Sequence, residues 1–166
     1  HRVDRRQRQM CIRDRMILSQ FGIRLWTLID LKTTKEKEHY IKEIYKLIEN
    51  NKKVSVSSLS FTLGVSKSSV TNMLKKLVKM QLVDTAPYKP ITLTIDGKKL
   101  SKKIVAQHRL VESFLVEIMG FNADQVHEIA EELEHINSPV FFRKVKKMLG
   151  QKKIDPHGSS IPDIDF

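Results

Sequence analysis

The sequence predicts a mainly α-helical chain in two parts: three helices closed by a hairpin, then a second helical segment. Three observations predict it. Apolar residues recur at helical spacing from Tyr40 onward. Two short alternating segments, 83–85 and 91–95, flank a proline-bounded tip. Gly64 and Gly120 stand where helical patterns stop. At 166 residues and 40% hydrophobic content the chain has enough material for a core. Its 30 Lys+Arg exceed 19 Asp+Glu, and a formal charge of +11 suits a polyanionic partner, either nucleic acid or an anionic membrane surface. The single cysteine, Cys11, excludes an intramolecular disulfide framework and a thiolate zinc cage. Gln20 and Arg24 interrupt the best apolar run, 16–29, so no membrane span is expected. The expectation is a soluble cytoplasmic protein.

Residues 1–33 are read as a non-native or disordered leader. HRVDRRQRQMCIRDR, 1–15, has no hydrophobic period and carries six Arg against two Asp. It reads as a basic arm or, more sharply, as translated adaptor: Gln9–Arg15, QMCIRDR, looks like the in-frame translation of a transposon-end sequencing adaptor. A secretory signal is rejected, because Arg24 and Asp30 interrupt the following stretch and no small-residue cleavage site closes it. Residues 16–33 are either true sequence or translated upstream DNA.

Residues 34–96 form the first part. Tyr40, Ile41, Ile44, Tyr45, Leu47 and Ile48 predict an amphipathic helix over 35–50. Ser57 or Ser58 is expected to start a short second helix that Gly64 ends, with Val65 as a buried plug. Ser66 is a suitable N-cap for a third helix, 67–80, whose Val70, Met73, Leu74, Leu77 and Val78 form the core stripe. Small polar residues early in that helix and lysines later, after a turn around a glycine, make the helix-turn-helix pattern. Ser66, Ser68, Ser69, Thr71 and Asn72 are short enough to approach base edges, and Lys75 and Lys79 can neutralise phosphates. APYKP between the two alternating segments reads as a wing carrying Tyr88 and Lys89 to double-stranded DNA. The bland alternative is a three-helix module with a solvated lysine face.

Residues 97–150 form the second part. Asp96-Gly97 is expected to turn into a helix over 98–119, whose buried stripe includes His108, with Glu112 one turn on. Asn122 is expected to cap the next helix, in which His127, Glu131, Glu134 and His135 align on one face. Carboxylates and imidazoles so close can hold a divalent cation, and without sulfur the set favours Mn²⁺, Fe²⁺, Co²⁺ or Zn²⁺. A solvated acidic face is the competing reading.

EHYIKEIYKL at 38–47, VSKSSVTNMLKKL at 65–77, LTIDGKKL at 93–100, QHRLVESFL at 107–115, VHEIAEELEH at 126–135 and DPHGSSIPD at 155–163 together resemble the diphtheria toxin repressor and manganese transport regulator family of metal-dependent transcriptional repressors. The resemblance implies an N-terminal winged helix-turn-helix, a helical metal-binding and dimerisation domain, a homodimer on operator DNA, and no enzyme activity or small organic substrate. It implies a primary metal site of His39, Glu131, Glu134 and His135, and an ancillary site of His108, Glu112 and His127 with Arg109 holding an anion beside it. Mn²⁺ or Fe²⁺ is the favoured ion, with Zn²⁺ or Co²⁺ also compatible. Two departures stand out. Lys42 takes the place of a glutamate in the manganese branch's binuclear cluster, and an ammonium cannot be a ligand. His39 is unusual at its position. Residues 151–166 are read as a tail toward a small SH3-like domain that the sequence does not include, and His157 within it is either a further ligand or a loop residue. A metal-independent winged-helix regulator is the rival reading.

Overall fold

The computed structural model describes residues 34–166; the leader reading for 1–33 falls outside them. The described residues hold six helices and one two-stranded hairpin. They run α1 (Lys35–Glu49), α2 (Val56–Leu63), α3 (Lys67–Lys79), β1 (Val83–Asp84), β2 (Thr92–Leu93), α4 (Ile95–Glu117), α5 (Val126–Leu133) and α6 (Pro139–Leu149).

Local chemistry sets the ends of these helices. α2 begins earlier than the serines at 57 and 58 suggested, because Ser55 is its N-cap: the Ser58 amide donates to Ser55 Oγ at 3.1 Å and the Ser55 amide donates to Ser58 Oγ at 2.8 Å. This is a capping box in which serine replaces the usual Glu or Gln at the third position. Gly64 ends α2 in the left-handed region at φ 65°, where a side chain would be strained. Val65 is not a plug; it is 36% exposed, and its carbonyl accepts from Ser60 Oγ. Ser66 caps α3 through the Ser69 amide, as its position predicts.

β1 and β2 pair antiparallel, with Val83 opposite Leu93 and Asp84 opposite Thr92. α4 begins at Ile95 rather than after Gly97, because Thr94 Oγ1 accepts from the Gly97 amide at 3.0 Å and caps the helix. Gly97 therefore sits in the first turn. It lies so close to the wing that a Cβ there would stand 1.9 Å from the Leu82 carbonyl oxygen.

α5 also differs from expectation. Residues 122–125 form a turn closed by the Gln125 amide on the Asn122 carbonyl, so Asn122 is not the N-cap. The helix ends at Leu133, leaving Glu134 at the C-cap and His135 in the following turn. His135 thus leaves the helix face on which the sequence pattern places it. α6 went unseen as a separate helix, although Ser138 at its N-cap, Pro139 at N1 and buried Phe142 and Val145 are its signature.

Two apolar clusters divide the described chain. The first joins α1, α2, α3 and the hairpin around Ile41, Ile44, Leu59, Val70 and Leu77, and α4 adds Leu100 and Ile104. The second joins later α4 to α5 and α6 around Val111, Leu115, Val126, Ala130 and Phe142. Phe166 folds back to stack on Phe142 at 5.2 Å, so 151–166 packs on the second cluster. Each fully buried residue of this size stabilises by about 1.5–3 kcal/mol. α4 is common to both clusters.

Candidate metal centre and nucleic-acid interface

α3 presents Ser66, Ser68, Ser69, Thr71, Asn72, Lys75 and Lys79 outward, opposite buried Val70, Met73, Leu74 and Leu77. Val78 leaves the predicted core stripe and is 39% exposed, because it borders a groove of about 520 Å³ between α3 and the wing. Several early polar groups serve the helix itself: Ser66 Oγ lies 2.8 Å from Ser68 Oγ and 2.9 Å from Ser69 Oγ, and Thr71 Oγ1 donates to the Lys67 carbonyl. Tyr88 projects fully from the wing tip at φ 62°, and Lys89 beside it is exposed.

In the second half, His108, Glu112 and His127 come together. His108 Nε2 and His127 Nδ1 each lie 3.1 Å from Glu112 Oε1. His108 and Glu112 are buried on α4, one turn apart, whereas His127 on α5 is half exposed, so the trio opens to solvent on one side. The tail brings two more donors. His157 Nδ1 lies 3.7 Å from Glu112 Oε2, and Glu112, Asp155 and His157 form a second donor group sharing that carboxylate. Asp155 is oriented by the backbone amides of His157 and Ser159, which donate to its Oδ1 at 2.9 and 2.8 Å. Sequence reasoning passed over Asp155 and left His157 open; the run DPHGSS, an aspartate followed by turn residues, was the available signal.

Electrostatics favour an ionised cluster. Burial works against ionisation of Glu112, but hydrogen bonds from His108 and His127 hold it down to about 2. Burial would lower His108, and the carboxylates of Glu112 and Glu134 outweigh it and raise it. His108 Nδ1 is buried without an aligned hydrogen-bond partner, although Glu134 Oε2 lies 2.6 Å away. His108 Nε2 and His127 Nδ1 meeting one carboxylate form a nitrogen-and-oxygen donor set that suits a first-row divalent ion.

The four residues His39, Glu131, Glu134 and His135 are not gathered in the same way. Lys42 lies among them with its side chain fully buried, and its Nζ donates to Glu131 Oε1 at 3.1 Å and to the two Glu134 oxygens at 2.9 and 3.2 Å. His39 Nδ1 stays 3.8 Å from Glu131, and His135 Nδ1 turns to Glu38 at 2.6 Å. Burial and then the Lys42 ammonium lower the His39 pKa. Burial opposes ionisation of Glu131 and Glu134 as well, but Lys42 outweighs it at Glu131, and His108 followed by Lys42 outweighs it at Glu134, so both are lowered. Among the described residues, the donor groups close enough to share one ion are His108–Glu112–His127 and Glu112–Asp155–His157.

Arg109 also departs from expectation. Its guanidinium is held by Glu49 of α1, with Nη1 to Oε1 at 3.1 Å and Nη2 to Oε2 at 2.6 Å, and Nε lies 3.4 Å from Asp155. It further donates to the Ser160 carbonyl. Internal carboxylates thus fill the place expected for a bound anion.

A winged helix-turn-helix joined to such a helical core defines a DNA-binding regulator. The family models of iron-dependent repressors match residues 32–91 as the N-terminal DNA-binding domain and 94–163 as the metal-binding and dimerisation domain. The chain belongs to this family, which includes the diphtheria toxin repressor and the manganese transport regulator. It is 41% identical over 102 residues to the HTH-type transcriptional regulator MntR of Oceanobacillus iheyensis, covering 61% of this chain and 69% of that protein. It is 38% identical over 110 residues to an HTH-type transcriptional regulator of Methanocaldococcus jannaschii, covering 66% and 88%. The structure of the manganese regulator SloR superposes with a TM-score of 0.70 at 38% identity, covering 78% of this chain. The chain spans 60% of the length of that structure. No helix among the described residues is long and apolar enough to cross a membrane.

Proposed function

We propose that this protein is a cytoplasmic, metal-dependent transcriptional repressor that binds operator DNA as a homodimer and controls metal-ion homeostasis genes. The observation that carries the metal response is the meeting of His108, Glu112 and His127 around one carboxylate, within a chain whose α3 faces outward as a recognition helix. His108 and Glu112 on α4 and His127 on α5 would hold the ion, with Asp155 and His157 beside them. The ion would supply a divalent charge that draws these donors together. Mn²⁺ is the favoured ion, because similar solved structures are described as manganese regulators and the donor set is nitrogen and oxygen. Fe²⁺, Zn²⁺ and Co²⁺ suit the same donors.

The residues of this chain would act in sequence. Lys75 and Lys79 engage phosphates, Asn72 reaches a base edge, and Tyr88 and Lys89 bring the wing to the backbone. An ion that binds better in the operator-matching arrangement shifts the population toward it. The test is operator affinity of the whole chain in EDTA and in stepwise Mn²⁺ at fixed ionic strength. A rise of about 5–150-fold with metal is expected for a coupling of ordinary size. The response should weaken as pH falls, beginning above the ordinary histidine value because the His108 pKa is raised and protons compete with the ion. Equal affinity in EDTA and Mn²⁺ would leave a metal-independent regulator.

The DNA face makes a separate prediction. Asn72→Ala should weaken specific binding by about 1–3 kcal/mol, whereas Lys75→Ala should weaken binding to all sequences and reduce the salt slope by about one. Fluorescence anisotropy over a salt series distinguishes the two effects.

A further inference from the structure

We infer that Lys42 is a built-in cation that stands where an ion would otherwise join Glu131 and Glu134, so α1 is fastened to the second half of the molecule without a metal at that position. The inference deepens the proposed function: it assigns the metal response to the cluster around Glu112 alone.

Three observations carry it. The Lys42 side chain is wholly buried, and lysine is almost never so placed unless its charge is paired. Its ammonium has three protons, and three carboxylate oxygens lie within hydrogen-bond reach, one on Glu131 and two on Glu134. The contacts cross from α1 to α5 and its C-cap, the same join an ion there would make. A divalent ion on these carboxylates would have to displace a positive charge that has no other place in the interior. The C-terminal end of α1 is fastened likewise, by Glu49 on the Arg109 guanidinium. The protein therefore carries its own counter-charges at the middle and at the C-terminal end of this helix. By contrast, the carboxylate of Glu112 meets imidazoles, which yield their protons to a metal where an ammonium does not.

The test counts bound Mn²⁺ per protomer of the whole chain by equilibrium dialysis and elemental analysis. Wild type should hold one ion and Lys42→Met two, the added ion taking the freed carboxylates. Two ions on wild type, or no gain in Lys42→Met, would overturn the inference. If Lys42→Met loses its helical circular dichroism in EDTA, Mn²⁺ should restore it, and failure to restore it would also overturn the inference. No ion on wild type but one on Lys42→Met would uphold the role of Lys42 and refute the Glu112 cluster as a metal site. No ion on either protein would refute both.

Discussion

Glu112→Gln is expected to abolish the metal response of DNA binding while leaving the chain folded. Glu112 is the one carboxylate common to both donor groups: His108 and His127 meet one oxygen at 3.1 Å each, and His157 lies 3.7 Å from the other. The glutamine keeps the volume and one acceptor oxygen, so packing beside buried His108 survives. It removes the negative charge and places an amide donor where an ion would sit. Losing a partner that merely orients a ligand costs about 10–100-fold in metal affinity, so loss of the central ligand should cost roughly 100-fold or more. Calorimetric titration with Mn²⁺ reads the affinity, and operator anisotropy in EDTA and Mn²⁺ reads the response. A variant whose operator affinity still rises with Mn²⁺ as the wild type's does would move the ion to other residues.

Gly97→Ala should destabilise the fold by roughly 3 kcal/mol, the upper part of the range for an overpacked site. The added methyl would meet the Leu82 carbonyl oxygen at 1.9 Å and its carbon at 2.9 Å, and backbone atoms cannot turn aside as a flexible side chain can. The same carbonyl accepts from the Thr94 amide at 3.2 Å, so pushing it away also loosens the cap of α4. Urea unfolding followed by circular dichroism measures the loss. A change below about 0.5 kcal/mol, within the range of an ordinary surface substitution, would show that helix and wing separate easily.

The helical pattern was legible wherever one face is apolar. Tyr40, Ile41, Ile44 and Leu47 are buried on α1, and Val70, Met73, Leu74 and Leu77 on α3, because a 3.6-residue period needs only the local sequence. The starts of α2 and α4 were misplaced because their caps are Ser55 and Thr94, residues with serine, aspartate and glycine neighbours that compete for the same role. The site shows the same division. His108 and Glu112 stand one turn apart on one helix, so their meeting could be read from spacing. The pairing of Lys42 with Glu134 joins positions 92 residues apart, and no local pattern marks which charge will fill a cluster from across the fold. The family resemblance supplied the position and flagged Lys42 as a misfit, but only the packing of α1 on the second half gives that misfit a role. His135 illustrates the remaining limit: the i, i+4 offset holds only while the helix continues, and α5 stops at Leu133.

The close approach of Gly97 to Leu82 makes α4 a beam that bears sideways on the root of the wing. From Gly97 to Glu112 the chain is one unbroken helix, about 22 Å long at the usual rise per residue. Its hydrogen-bonded backbone makes it stiff, and in its first turn Gly97 puts no Cβ between the helix and the Leu82 carbonyl. A sideways shift of α4 near Gly97 would therefore press on the Leu82 carbonyl at the root of the hairpin that carries Tyr88 at its tip. The wing's root and the candidate metal cluster thus share a single rigid member, with no break in the helix between them.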